Sequence, residues 1–345
     1  MGEGDDSSPS DTMRERAAGS GWRLWVLMRL DRYVLAGVIL LAIFASLVLL
    51  SVAGPSPFRA LVEDADALQT LFGSMIGPII TGVTLVVTIG QLVLSQELGA
   101  IGDQRERMQA SMEFRRDVED LGSFGVSPPE PAAFLRELVA AIEDSAERLR
   151  ETTADEREEE VRERIDEYVA DLDEHAETVR ADVEDAQFGT FDVIWNVLSF
   201  NYSWKIFEAR QIADEHRDAL SEEATEAIDE VIEALTFFGP AREHFKTLYY
   251  QWELINLTRA LLYAAVPALV VVAGMVMYVD ADAVTGATLG VDNLVWLASA
   301  AFTVSLAPFV ILLAYVLRIV TVAKRTLAMG PFILRETERD ADSDV

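Results

Sequence analysis

Residues 74–95 read SMIGPIITGVTLVVTIGQLVLS. Within them Ser74, Gly77, Thr81, Thr84, Thr88, Gln91 and Ser95 recur at steps of three and four. That is helical spacing, so all seven share one face of a single helix. No charged residue occurs between Asp66 and Glu97, a run long enough to cross a bilayer. A membrane helix with one small, hydroxylated face is built to meet something other than lipid: a neighbouring helix, or water.

Three more apolar segments flank this one. The first runs from about Tyr33 to Ala53, the third from Ala260 to Val279 and the fourth from Leu294 to Leu317, with all of the quoted stretch but Ser95 in a second from Leu71 to Leu94. Basic residues orient them. Arg14, Arg16, Arg23, Arg29 and Arg32 precede the first span, and Arg105, Arg107, Arg115 and Arg116 follow the second. Arg242, Lys246 and Arg259 precede the third; Arg318, Lys324 and Arg325 follow the fourth; the two short outer loops hold only Arg59. The positive-inside rule then puts both termini and the central insertion in the cytoplasm of a multi-pass cell-membrane protein. The sequence thus predicts an all-α integral membrane protein with four transmembrane helices and a long helical cytoplasmic insertion between the second and third.

The expected segments are a disordered tail over 1–18, an interfacial amphipathic lead-in over 19–32, spans one and two within 33–95, a cytoplasmic bundle over 96–258, spans three and four within 259–317, and a cytoplasmic tail over 318–345. Ser51-Val52-Ala53 looks like a cleavage site, but the apolar run before it is longer than a signal-peptide core and follows a polar stretch. An uncleaved anchor is the expectation.

Composition narrows the setting. The chain carries 58 acids against 28 basic residues, for a net charge of −30, and only Lys205, Lys246 and Lys324 are lysines. An acidic, arginine-over-lysine surface keeps a protein hydrated in near-saturated salt, where the Debye length falls to about 3 Å and self-repulsion costs little. This is the composition expected of an extreme halophile, an archaeal source. It argues against nucleic acid as a partner. Cysteine is absent, which removes disulfides, thiolate metal sites and cysteine catalysis.

The insertion reads as helix almost throughout. Gln96 to Leu121 is expected to continue span two. Ser127-Pro128-Pro129-Glu130 reads as a serine-capped helix start. After it, Phe134, Leu135, Leu138, Val139, Ile142, Ala146 and Leu149 form one apolar stripe. Thr153-Ala154-Asp155-Glu156 repeats the capping pattern, and Val161, Ile165, Tyr168, Leu172, Ala176, Val179 and Val183 follow near heptad spacing. An antiparallel helix pair with coiled-coil character is expected. Phe188 to Phe207 is aromatic and poor in acids, a core helix or one at the inner membrane surface. A helix after Ser221 puts Ala224, Ile228, Val231 and Leu235 on one face, and Phe238-Gly239-Pro240 is expected to break it before Ala241 leads into span three.

Catalytic signatures are missing. His175, His216 and His244 lie in the insertion, no span holds an acid, base or histidine, and no Gly-rich phosphate loop, H-E-x-x-H or nucleophile elbow occurs. No enzyme, cofactor or metal site is expected. The outer acids Asp280, Asp282 and Asp292 fail the EF-hand pattern. Together with Glu63, Asp64 and Asp66 they surround the outer face, where acids raise the local concentration of cations.

The stripe has two uses. Gly73 and Gly77 form a G-x-x-x-G pair of the kind that lets helices pack closely. The stripe also spans roughly 32 Å at 1.5 Å per residue, the full hydrocarbon thickness and more than a packing motif needs. The layout from about Tyr33 to Leu317 resembles that of bestrophins, in which five subunits surround an anion pore lined by the second span. The resemblance is one of topology and carries no functional residue across. The leading expectation is a homo-oligomeric ion channel lined by span two. The alternatives are a non-conducting scaffold or sensor whose cytoplasmic helices bind a partner protein, and a transporter of neutral solutes.

Overall fold

A computed structural model of the chain describes residues 30–53, 67–122, 125–154, 156, 158–184 and 200–325, the side chains of 96, 97, 178, 181–184, 324 and 325 excepted. The tail over 1–18, nearly all of the lead-in, the acids Glu63, Asp64 and Asp66, the aromatic segment from 188 to 199 and the chain beyond 325 lie outside the described residues. So does the side chain of Val183. Helix dominates: α1 (Arg32–Ala53), α2 (Ala67–Glu97), α3 (Ile101–Leu121), α4 (Pro131–Thr153), α5 (Glu159–Glu184), α6 (Tyr202–Glu215), α7 (Glu222–Tyr278) and α8 (Asn293–Arg325). Four of these, α1, α2, α7 and α8, are long and apolar enough to cross a membrane. The chain divides into two compact units, an apolar one of residues 22–98 and 251–322 and an acidic one of 99–250 with both chain ends; α7 contributes to both.

In the apolar unit, α2, α7 and α8 share a core. Phe72 and Ile79 of α2 meet Ala265, Ala268 and Val272 of α7 and Leu294, Ala298 and Ala301 of α8. Val86, Leu257, Leu261 and Tyr315 extend it. The alanines let the helix backbones approach, which is how apolar helices gain packing energy where lipid competes for the same surface. Gly90 serves the same end: a Cβ there would meet Thr258 Oγ1 at 3.1 Å. Helix α1 is marginal to this core, with Ala36 its one buried residue and Phe44 stacked 5.8 Å from Trp296.

The link from α7 to α8 contains the one departure from all-α structure among the described residues. Strands β1 (Ala287–Thr288) and β2 (Val291–Asp292) pair antiparallel. Leu289 and Gly290 between them both have positive φ, 56° and 79°, as a two-residue hairpin turn matched to strand twist requires. Asn293 Nδ2 donates to the Thr285 carbonyl at 3.0 Å and Trp296 Nε1 to that of Thr288 at 3.1 Å, tying the hairpin to α8.

In the acidic unit, every residue of the predicted α4 stripe is buried, and so are Val161, Ile165, Tyr168, Leu172, Ala176 and Val179 of α5. Arg150 pairs with Asp173 at 3.8 Å and Glu143 with Arg180 at 3.1 Å. Residue numbers rise on one helix as they fall on the other, so the pair is antiparallel. Ala224, Ile228, Val231 and Leu235 of α7 are also buried. Helix α6 adds an unusual member, Lys205, whose side chain is 1% exposed and whose ammonium is paired with Asp171, and with Glu208 at 3.4 Å. His175 Nδ1 lies 3.3 Å from Asp171 Oδ1. The hydrogen bond from His175, with Lys205 beside it, outweighs partial burial and holds the Asp171 carboxyl down at about 2.

Four expectations fail, each for a local reason. Helix α2 does not run on: Leu98–Ala100 are non-helical, with Ala100 extended at ψ 152°, and Gly99 is where the helix is cheapest to interrupt. Ser127 does not cap α4. Its N–H and hydroxyl donate to Glu119 Oε1 at 2.7 and 2.6 Å, while Glu130 accepts from the N–H groups of Ala132 and Ala133. Pro131 fills the first helical position, where a missing N–H costs nothing. Thr153 closes α4 rather than opening α5, donating to the Leu149 carbonyl at 2.8 Å. Finally, Phe238-Gly239-Pro240 does not break the chain, since α7 is continuous through it. Pro240 forfeits one backbone bond, but Phe238 is fully buried against Phe200, with ring centroids 4.9 Å apart. The bare Gly239 admits the Tyr202 ring to 3.0 Å of where a Cβ would stand. Packing wins over propensity.

Candidate functional site

Helix α2 has a buried and an open side, and the open side carries exposed Ile80, Leu85 and Leu92 beside the polar stripe. At about 100° per residue Leu68, Phe72, Ile79 and Val86 cluster on one side, and the seven-residue stripe centres about 180° away. The first set is buried; Ser74, Gly77, Thr81, Thr84, Thr88, Gln91 and Ser95 are all exposed. The chain therefore packs the apolar side of α2 into its own core and leaves the polar side open over the helix's length. Gly77, and Gly73 beside the stripe, have nothing within 4 Å of where a Cβ would stand, so the G-x-x-x-G pair makes no close packing contact with the described residues.

Four of the five stripe hydroxyls, all but that of Thr81, have partners of their own. Ser74 donates to the Leu71 carbonyl at 2.7 Å, Thr84 to that of Ile80 at 2.9 Å, Thr88 to that of Thr84 at 2.8 Å and Ser95 to that of Leu92 at 2.6 Å. Each hydroxyl has a single proton. With it committed to the helix, the outward face offers oxygen lone pairs. Pro78, inside the helix, cannot donate to the Ser74 carbonyl, which is freed on the same side. The Gln91 amide hydrogen-bonds to no described residue and is the most versatile polar group on the stripe.

The described acids expected at the outer face split. Asp292 Oδ1 accepts from Leu294 N–H at 2.9 Å, capping α8. Asp280 Oδ1 accepts from Asp282 N–H at 3.1 Å, and both residues are exposed. Asp292 is thus engaged in holding the hairpin and helix, while Asp280 and Asp282 face solvent. Among the described residues no cluster of His, Cys, Asp or Glu is arranged to hold a metal.

Sequence reasoning missed the charged centre of the apolar unit. Glu253 of α7 is fully buried and ion-paired with Arg32 of α1, whose guanidinium carbon stands 5.0 Å from the Tyr315 ring centroid on α8. Arg318, also buried, donates to the Leu30 carbonyl at 3.2 Å. One atom of each member of the pair, Arg32 Nε and Glu253 Oε2, is buried with no hydrogen-bond partner among the described residues. This cluster joins α1 to α7 and α8 where apolar packing is thin. Its signal was present: Glu253 is the only acid in the stretch from Phe245 to Pro267.

No curated protein and no solved structure matches the chain. A family model described as "Family of unknown function (DUF7972)" matches residues 1–345, and the chain belongs to that family.

Proposed function

We propose that the four apolar helices span the cell membrane with both chain ends and residues 96–258 in the cytoplasm, and that copies of the chain close into a ring in which α2 lines an ion conduit. The exposure of the whole stripe, opposite the buried face of the same helix, carries this proposal. In lipid a continuous polar face calls for water or a partner helix, and one copy of α2 cannot enclose water, so the conduit requires a closed ring. Oxygen lone pairs along the face and the exposed Asp280 and Asp282 suit a cation better than an anion.

A non-conducting oligomer, a scaffold or sensor, is favoured by one observation. Four stripe hydroxyls already donate along their own helix and so need no water. Electrical recording from purified protein in planar bilayers at molar salt separates the two. A conduit gives unitary currents that Thr84→Phe and Thr88→Phe abolish while the assembled mass is unchanged. A packing face gives no current, and the same substitutions break the assembly.

A further inference from the structure

Helix α1 is fastened to the rest of the apolar unit mainly by its first turn. Of its 22 residues only Ala36 is buried, and Phe44 against Trp296 is its aromatic contact. Arg32, the first residue of the helix, pairs with Glu253 of α7 and stands over the Tyr315 ring of α8, while Arg318 of α8 donates to the Leu30 carbonyl just before it. The two members of the ion pair are not equivalent. The Glu253 side chain is 1% exposed and that of Arg32 15%. Arg32 sits at a helix end on a long apolar stem, so it can carry its charge to water when α1 moves away. Glu253 lies in the interior of α7 and cannot follow. A carboxylate left alone in such a place takes up a proton rather than stay charged.

Nothing else is arranged to hold that charge. Glu253 Oε2 and Arg32 Nε are both buried with no hydrogen-bond partner among the described residues. Helix α2 carries no ionisable side chain from Ala67 to Gln96. On α7 the nearest charged residues, Lys246 and Arg259, are seven and six positions away, with Tyr249 and Tyr250 the nearest phenols. On α8, Tyr315 lies under Arg32 and Arg318 binds the Leu30 carbonyl. On the α1 side, Asp31 accepts from the N–H groups of Tyr33 and Val34, and Tyr33 is exposed.

We propose that the Arg32–Glu253 pair is a proton-coupled latch: α1 is docked while Glu253 is ionised and swings free of α7 and α8 when Glu253 takes up a proton. The released state binds one proton more than the docked state, so release is favoured as pH falls. Its equilibrium constant changes about tenfold per pH unit while the docked Glu253 stays ionised. A buried pair is little screened by salt, so the latch works in molar salt. It lies within one chain and does not depend on the ring proposed for α2.

The chain has no cysteine, so labels go only where they are placed. Spin labels on full-length protein at molar salt, at Leu41→Cys of α1 and Val304→Cys of α8, both exposed, report the α1–α8 separation by pulsed electron resonance. Labels at Val266→Cys of α7 and Phe309→Cys of α8 report two helices that share a core. The expected result is a single short α1–α8 distance that gives way to a longer, broader distribution as pH falls, while the α7–α8 distance holds. Glu253→Gln should show the long distribution at every pH. Arg32→Lys, which holds the carboxylate less well, should move the transition to higher pH. An α1–α8 distance that stays constant down to the pH of unfolding overturns the proposal. So does a transition that survives in Glu253→Gln, a Glu253→Gln chain that stays docked, or an Arg32→Lys midpoint that does not move. A change in both distances together is unfolding rather than release, and overturns it as well.

Discussion

The helix pair α4–α5 and helix α2 treat their sequence stripes in opposite ways. Along α4 and α5 every described stripe residue, from Phe134 to Val179, is buried within the chain. Along α2 the stripe from Ser74 to Ser95 is exposed throughout. A chain that completes one pair of seams so fully and leaves another continuous stretch open has not run out of means to bury surface. In the oligomer proposed above, what it leaves open along α2 is the surface it brings to the assembly. On that proposal the closed seams govern whether the protomer folds, and the open one governs what the folded protomer does.

Substitutions on the two kinds of face should behave differently. The largest loss of stability is expected at the buried charge. Glu253→Ala removes a carboxylate that is 1% exposed and strands Arg32, and breaking such a pair costs about 3–5 kcal/mol. Thermal unfolding in detergent at high salt should show it as a clear fall in Tm, and an unchanged Tm would mean α1 is held some other way. Next comes Ile142→Ala, in the middle of the closed α4 seam, at about 2–5 kcal/mol for the lost methyl groups and the cavity left behind. Denaturant unfolding of the full chain reads it. Thr84→Phe should sit at the other end, within about 0.5 kcal/mol for a solvent-facing change on the isolated protomer, while abolishing current. A large stability loss there would mean the α2 face is closed after all.

The closed region also carries a pH dependence. The Asp171 carboxyl is held at about 2 when folded, below its ordinary 3.8. A lowered folded-state value contributes stability that is fully present above about pH 4 and is lost as pH falls through the interval toward 2. Lys205→Met, which removes one of the groups holding it down, should flatten the acid limb of the stability profile. An unaltered limb would show that the His175 contact alone sets the value.

Much of this was legible in the sequence, because periodicity reports burial when a helix has one partner face. The α4 and α5 stripes were read that way, and the structure buries every described residue of them; the four long helices were read from their unbroken apolar runs instead. The errors came where a local signal competed with a distant contact. Gly239-Pro240 is a strong breaker in isolation, and only the Phe200, Tyr202 and Phe238 cluster explains why α7 passes through it. Ser127 is a good cap by type, yet Glu119 engages it from the preceding helix. The pairing of Arg32 with Glu253 links residues 221 positions apart, beyond the reach of any local pattern. The candidate site was visible as a polar stripe; which way it faced was not, since spacing places residues on a common side without saying what that side meets.

The central claim is that the open α2 face looks into an assembly. Mass photometry of the purified chain at high salt, carried through to cryo-EM class averages, tests it most directly. The account predicts a closed ring with α2 innermost and the Ser74–Ser95 face toward the axis. A monomer, or a simple dimer with α2 against lipid, would contradict it.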